Sequence, residues 1–386
     1  MSFKNFNTQH LLAQITGSRF SATYRLTGNE QEARDKAADI CTEQTVEFPF
    51  QLLPQGAIPD QIVGRIERFE PDGENAFLAT ITFADETAAN ESTQLLNVLF
   101  GNISIKRGIK LAAFKPSESQ TPFLPGAQFG VDAIRKILNV PKRPLLFTAL
   151  KPMGLSAPNL AELAKLFAEG GIDIIKDDHG LSDQVFSRFK ERVTSCANAV
   201  NEASVRLNRK SIYVPNITAP FDQLLDRATF AKENGAGAVM ISPGLTGLDA
   251  LRYLTQSKIG LPIIVHPAFI GGMAMSPTEG IGCGVLYGTL MRLLGADATI
   301  FPNFGGRFPL SQDDCMQIVK ACREPIRIPS IFPSPAGGME LKNIRNMVEL
   351  YGNDMLILIG SGLFRGSGNL TDNCKRFRDE VDSCLQ

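Results

Sequence analysis

The sequence predicts an α/β protein: a C-terminal (β/α)8 TIM barrel preceded by an N-terminal α+β domain of ferredoxin-like type. Three observations carry this prediction. From residue 145 onward, short apolar runs alternate with amphipathic helical stretches, eight strand candidates in succession, as parallel closed barrels require. Most of those runs end abruptly in polar or glycine-rich strings. Residues 1–125 show a different order, with strands and two helices consistent with a β-α-β-β-α-β sandwich. We therefore expect domains at 1–125 and 126–386.

In the first domain, residues 20–26 alternate like a strand and 31–41 read as a helix. Residues 62–69 and 76–83 read as two more strands, and 88–99 as a second helix. The motif calls for a fourth strand that the pattern does not locate. Residues 114–130, with Pro116, Pro122 and Pro125, read as a linker. Residues 130–139 then suggest a helix. The barrel strands are expected at 145–151, 173–178, 211–217, 238–242, 262–266, 298–304, 328–334 and 355–360. Helices are expected at 160–168, 221–234, 283–294, 312–323 and 344–350. A doubly wound open sheet would usually carry G-x-G-x-x-G after its first strand, and none follows residue 151.

The chain has 386 residues, 44% hydrophobic and 20% charged, with a net charge of −1. That balance lacks the basic excess of a nucleic-acid binder. No apolar run approaches the roughly 20 residues of a membrane span, and Met1 to Asn7 has no signal-peptide core. Seven scattered cysteines without a C-x-x-C pair suggest reduced thiols in a cytoplasmic protein.

In such barrels the chemistry sits at the C-terminal strand ends. Here those ends offer Lys151, Lys176-Asp177-Asp178-His179, Asn216, His266, and Asn303 with Gly305-Gly306-Arg307. In residues 171–180 (GIDIIKDDHG) a β-branched run stops at four polar groups, which packing does not favour. Alternation points Lys176 and Asp178 one way, and Asp177 and His179 the other way unless the chain turns. This cluster suits a divalent cation, with Lys176, Asp178 and His179 as candidate ligands. The alternative is a helix N-cap with solvated charges. After strands 7 and 8 come Gly337-Gly338 and Gly360-Ser361-Gly362, where barrels commonly bind phosphate through backbone N–H groups. Gly337, Gly338, Gly360 and Ser361 are the candidate phosphate ligands. Arg307 is a candidate for holding an anionic substrate.

Together these residues resemble the RuBisCO large subunit, and more specifically the form IV RuBisCO-like proteins, over nearly the whole chain. Lys176-Asp177-Asp178-His179 stands where that family has Lys-Asp-Asp-Glu. Lys151-Pro152-Met153-Gly154-Leu155-Ser156 is similar to its Lys-Pro-x-x-Gly-Leu-Ser segment. Glu43, Asn102 and His266 match its N-terminal acid, its N-domain asparagine and its strand-5 histidine. The resemblance implies Mg2+ or another divalent cation, a carbamylated Lys176, and catalytic roles for Lys151, Lys176 and His266. It also implies a homodimer in which Glu43 and Asn102 of one subunit complete the partner's site and contact substrate.

The departures matter as much. The third ligand position is His179, and imidazole suits Mg2+ poorly. Met153 replaces, or marks the deletion of, the family's second active-site lysine. Pro267 stands for the arginine after the strand-5 histidine, and Ala336 for the serine before the strand-7 glycines. One cationic phosphate clamp is lost and the glycine cradle stays, so a single phosphate is expected. These features imply a RuBisCO-like enzyme that does not fix CO2. It would use metal-assisted proton abstraction, with Lys151 as base, on a monophosphorylated keto-sugar such as a 5-methylthioribulose 1-phosphate-type compound of methionine salvage. Decarboxylation of a phosphorylated oxo-sugar acid is the alternative reaction. A catalytically silent sugar-phosphate-binding barrel is the alternative class.

Overall fold

The computed structural model describes residues 6, 8–120, 123–366 and 368–385. Pro122 of the expected linker, and Met1–Asn5 and Asn7 of the N-terminal stretch, lie outside them. The chain divides into two compact units, 1–125 with 271–289, and 126–270 with 290–386.

The first unit has the β-α-β-β-α-β order. Its elements are β1 (Arg19–Thr27), α1 (Glu30–Glu43), β2 (Arg65–Pro71), β3 (Ala76–Ala84), α2 (Ser92–Phe100) and β4 (Ile109–Lys115). α1 starts where Asn29 and Glu32 form a reciprocal capping box. β2 begins three residues later than expected because Ile58–Ile62, with Pro59 in its first turn, coils instead. The unplaced fourth strand is β4. A fifth short strand, β10 (Gly280–Ile281), pairs parallel with Lys110 and Leu111 of β4, giving the sheet order β10-β4-β1-β3-β2. Gly282 N–H also donates to Leu111 O at 2.8 Å and Lys110 Nζ to Ser276 O at 2.7 Å. These bonds group residues 271–289 with the first unit, so the expected continuous span 126–386 is interrupted there.

The second unit is the barrel. After α3 (Gly130–Leu138) come β5 (Leu145–Leu150), α4 (Ala157–Glu169), β6 (Ile174–Asp177), α5 (Phe189–Arg206), β7 (Ile212–Val214), α6 (Leu224–Glu233) and β8 (Val239–Ile241). Then follow α7 (Pro243–Thr246), α8 (Leu248–Gln256), β9 (Ile263–Val265), α9 (Met291–Leu294), β11 (Ala298–Pro302) and α10 (Gln312–Arg323). β12 (Phe332–Ala336), α11 (Ile344–Tyr351), β13 (Leu356–Ile359) and α12 (Leu370–Ser383) complete it. Eight strands pair in the order β7-β6-β5-β13-β12-β11-β9-β8. Backbone bonds close the ring between its ends: Gly237 N–H to Tyr213 O at 3.0 Å, Met240 N–H to Pro215 O at 2.9 Å, and Ile217 N–H to Met240 O at 2.9 Å.

Alternate strand residues fill the lumen. Leu145, Phe147, Ile174, Ile212, Val214, Met240, Ile264, Ile300, Phe332, Leu356 and Leu358 form one buried cluster, which Val131, Ile134 and Leu138 of α3 join. Each such side chain contributes about 1.5–3 kcal/mol on burial. Two residues further along, the same inward rows reach Lys176, Asn216, Ser242, His266 and Gly360, so strand stereochemistry itself aims polar groups at the mouth.

β12 departs from expectation: the strand predicted at 328–334 forms at Phe332–Ala336, with prolines at 333 and 335. Proline removes a ladder donor and is rare in central strands. Phe332 N–H donates to Asp297 O at 3.0 Å, on the β11 side, so the positions lacking N–H face β13. There the ladder shrinks to the Ala336–Leu358 pair, and Ser334 Oγ donates to Leu356 O at 3.1 Å. At the other end of the barrel, Arg143 grips Asp173 with two bonds of 2.7 and 2.6 Å, both residues being buried. All seven cysteines are free thiols and six are buried. Among the described residues no helix is long and apolar enough to cross a membrane.

Candidate active site

The site is built on the ends of β5, β6 and β9. Asp178 is its hub. The Lys151 ammonium lies 3.0 Å from Asp178 Oδ1, and His179 Nδ1 lies 3.3 Å from the same oxygen. Burial would raise the Asp178 carboxyl. Hydrogen bonds from His179 and Lys151, with the charges of Lys151 and Lys176, overcome that and hold it well below the usual carboxylate range. Asp178 is therefore ionised at any physiological pH.

Lys176 is 2% exposed and donates to Asp177 O at 3.0 Å. Its pKa falls to about 8, first because burial disfavours the ammonium and then because Lys151 repels it; Asp178 and Asp177 oppose the shift. A neutral amine at near-physiological pH is what a carbamate or a proton acceptor requires.

His266 and His179 stack, with ring centroids 4.2 Å apart and planes 10° from parallel. Ala268 N–H donates to His266 Nδ1 at 3.2 Å. That bond assigns Nδ1 as acceptor and leaves the ring proton on Nε2. Burial and then the nearby Lys176 lower the His266 pKa to about 2, so this imidazole works as a neutral group.

The glycines expected to hold phosphate lie where backbone can approach an anion. Gly337 and Gly338 have φ of +96° and +70°, a region L-residues avoid. A Cβ on Gly337 or Gly360 would meet nothing within 4 Å, so space over both is open. Ser361 is exposed at the start of the turn after β13. Arg307 is exposed and its guanidinium lies 4.9 Å from the Phe308 ring centroid. Within the first unit, Asn102 Nδ2 donates to Glu43 Oε1 at 3.0 Å. Met153 is half exposed, with its Cε 2.5 Å from where a Gly180 side chain would begin, so it lies against the Asp178–His179 loop.

Asp177, the neighbouring acid, does not enter the mouth. Its carboxylate is fully buried and accepts from Arg192 Nε at 3.0 Å, the Tyr213 hydroxyl at 2.6 Å and Asn216 N–H at 3.1 Å. Sequence reasoning missed Arg192 because it left α5 unplaced. A signal was present: Phe189, Val193, Cys196, Ala197 and Val200 form an apolar stripe at helical spacing, and Arg192 sits on it. A charge on a buried stripe demands a buried partner.

The fold and these residues define a class: a (β/α)8-barrel with lysines, acids and histidines at the strand ends and glycine-rich loops after its last two strands. Residues 130–322 match the family model for the ribulose bisphosphate carboxylase large chain, catalytic domain. The chain is 36% identical over 366 residues to ribulose bisphosphate carboxylase-like protein 1 of Rhodopseudomonas palustris, covering 95% of this chain and 98% of that one. It is 33% identical over 361 residues to 5-methylthioribulose-1-phosphate isomerase of Rhodospirillum rubrum, covering 93% and 95%. A crystal structure of a Rubisco-like protein from Rhodopseudomonas palustris superposes with a TM-score of 0.87 at 35% identity, over 95% of this chain and 99% of that one. The chain belongs to the RuBisCO large-chain family, as a form IV RuBisCO-like protein.

Proposed function

We propose that the protein is a non-carboxylating RuBisCO-like enzyme that moves a proton at the carbon beside the carbonyl of a monophosphorylated keto-sugar. An isomerase acting on a 5-methylthioribulose 1-phosphate-type compound is the preferred form of this proposal. One observation carries it: Lys151, Asp178, His179 and His266 form a contiguous chain of contacts at the barrel rim. The 33% identity to an isomerase of that name supports the substrate class. Gly337, Gly338, Gly360 and Ser361 would hold the phosphate through backbone N–H groups.

The donor set fits a divalent cation when Lys176 is carbamylated. Asp178 and His179 lie side by side, and a carbamate on Lys176 would supply the third donor. A lysine whose pKa has fallen to about 8 supplies the neutral amine for carbamate formation. Two oxygen donors and one imidazole suit Mg2+ less well than a more nitrogen-tolerant divalent ion such as Mn2+. When bound, such an ion would polarise the substrate carbonyl. Lys151 is the proposed base. Its ammonium nitrogen already sits 3.0 Å from Asp178 Oδ1, at the rim where the substrate would lie. Neutral His266 donates Nε2–H to developing charge. Glu43, Asn102 and Arg307 are assigned to substrate, the first two from the partner subunit of a homodimer.

The test is deuterium exchange from D2O into the keto-sugar phosphate, with and without added divalent ion. Lys151→Met should abolish exchange and leave phosphate-dependent binding intact. Carboxylation of ribulose bisphosphate, or binding without exchange in the wild type, would overturn the proposal.

A further inference from the structure

Asp178 and His179 follow the last residue of β6, where no sheet ladder holds them, yet their geometry must be reproducible. Asn216 supplies the missing constraint. It is 1% exposed and sits just beyond β7. Its amide nitrogen donates twice, to His179 O and to Leu181 O, each at 2.9 Å. Its backbone N–H donates to Asp177 Oδ2 at 3.1 Å. Its amide oxygen accepts from Thr218 N–H at 3.2 Å and from Thr218 Oγ1 at 2.7 Å. Thr218 Oγ1 in turn accepts from Ser242 N–H at 3.0 Å, tying the assembly to the end of β8.

Every donor and acceptor site of the Asn216 amide is thereby used. Asp177 is clamped from its own side as well, since Arg192 and Tyr213 bind the same carboxylate and burial keeps the Tyr213 phenol protonated. Fixed points therefore flank Asp178: the Asp177 side chain before it, and the His179 and Leu181 carbonyls after it.

We propose that Asn216 is a positioning residue. It mounts the loop after β6 so that Asp178 meets Lys151 and the His179 ring meets His266. Its effect on rate rests on the proton-transfer function proposed above; its effect on geometry does not. Neither aspartate nor alanine fits the role. Aspartate would set a carboxylate against two carbonyl oxygens, and alanine would leave both carbonyls without a donor.

The experiment compares Asn216→Ala, Thr218→Val and Ser211→Ala in the full chain. Ser211 serves as control because its buried hydroxyl donates to Ile172 O at 2.7 Å, at the opposite end of the barrel. The chain has three histidines, so imidazole NMR resolves His179 and His266 once each is assigned by substitution. In Asn216→Ala the His179 signals should move and the upfield ring-current shifts of the stacked pair should collapse. The exchange rate should fall about 100-fold, as for a displacement of about 1 Å, with KM changed less than about threefold. Thr218→Val should shift the same signals in the same direction by less, and it serves in place of Asn216→Ala if that variant does not fold. Ser211→Ala should move neither the signals nor the rate. Unchanged His179 signals in Asn216→Ala, or in Thr218→Val where it stands in, would overturn the proposal. So would an equal rate loss in Ser211→Ala. If the wild type exchanges no deuterium, the functional proposal fails, and the NMR comparison still decides the role of Asn216.

Discussion

Lys176 is a buried amine that destabilises the fold while it is charged, so Lys176→Met should yield a more stable, inactive protein at neutral pH. The lysine pKa drops from 10.5 to about 8 on folding. At about 1.4 kcal/mol per pKa unit, that shift corresponds to roughly 3 kcal/mol. The sign follows from proton counting. Between pH 8 and 10.5 the unfolded chain still binds the Lys176 proton and the folded chain does not, so stability rises with pH in that window. Below pH 8 the full penalty is present. Methionine removes it, but also loses the bond to Asp177 O at 3.0 Å, worth about 1 kcal/mol. The variant should therefore exceed wild type by roughly 2 kcal/mol at pH 7, and that advantage should shrink to zero near about pH 10 and reverse slightly above it. Urea denaturation of both proteins at one concentration, in CO2-depleted buffer, measures the difference directly. Other titrating groups cancel between the two. A difference constant from pH 7 to 10, or a Lys176→Met protein less stable at pH 7, would refute the reasoning.

Asp178→Asn removes the shared anchor of Lys151 and His179; single-turnover exchange should slow about 100-fold or more. The Lys176 amine, deprived of its counter-charge, should titrate lower still. Gly337→Ala meets no steric neighbour but must hold a φ of +96°, costing about 1–2 kcal/mol. KM for the phosphorylated substrate should rise about tenfold or more, and an unchanged KM would remove Gly337 from the phosphate loop. Arg143→Met leaves Asp173 buried with its main partner gone. Urea denaturation should show a loss of about 3–5 kcal/mol, while kcat of the folded fraction stays at the wild-type value.

The barrel was legible because its signals are local. Alternation along β5 to β13 is imposed by strand stereochemistry, so the inward direction of Lys176 and His266 follows from counting by twos from Ile174 and Ile264. Where local rules conflict, the prediction slipped. Residues 328–334 contain the right apolar pattern, but the strand forms later and accepts two prolines because β13 asks for almost no ladder there. The sequence pattern places neither β4 nor α5, and Arg192 lies on α5.

His179 shows the boundary most clearly. Period two aims it away from Asp178, together with Asp177, unless the chain turns. The chain does turn, since β6 ends at Asp177 and Asn216 draws the His179 and Leu181 carbonyls toward β7. The imidazole then swings back to Asp178 Oδ1 and onto the His266 ring. By itself the sequence determined the barrel, the rim and the residue types that line it, because dihedral preferences and side-chain period act over a few neighbouring residues. Only the tertiary structure decided that Asp178 is the hub and Asp177 a buried anchor. The partners of Asp177 lie 15, 36 and 39 residues away, and hydrogen bonds across such separations exist only after the strands have closed.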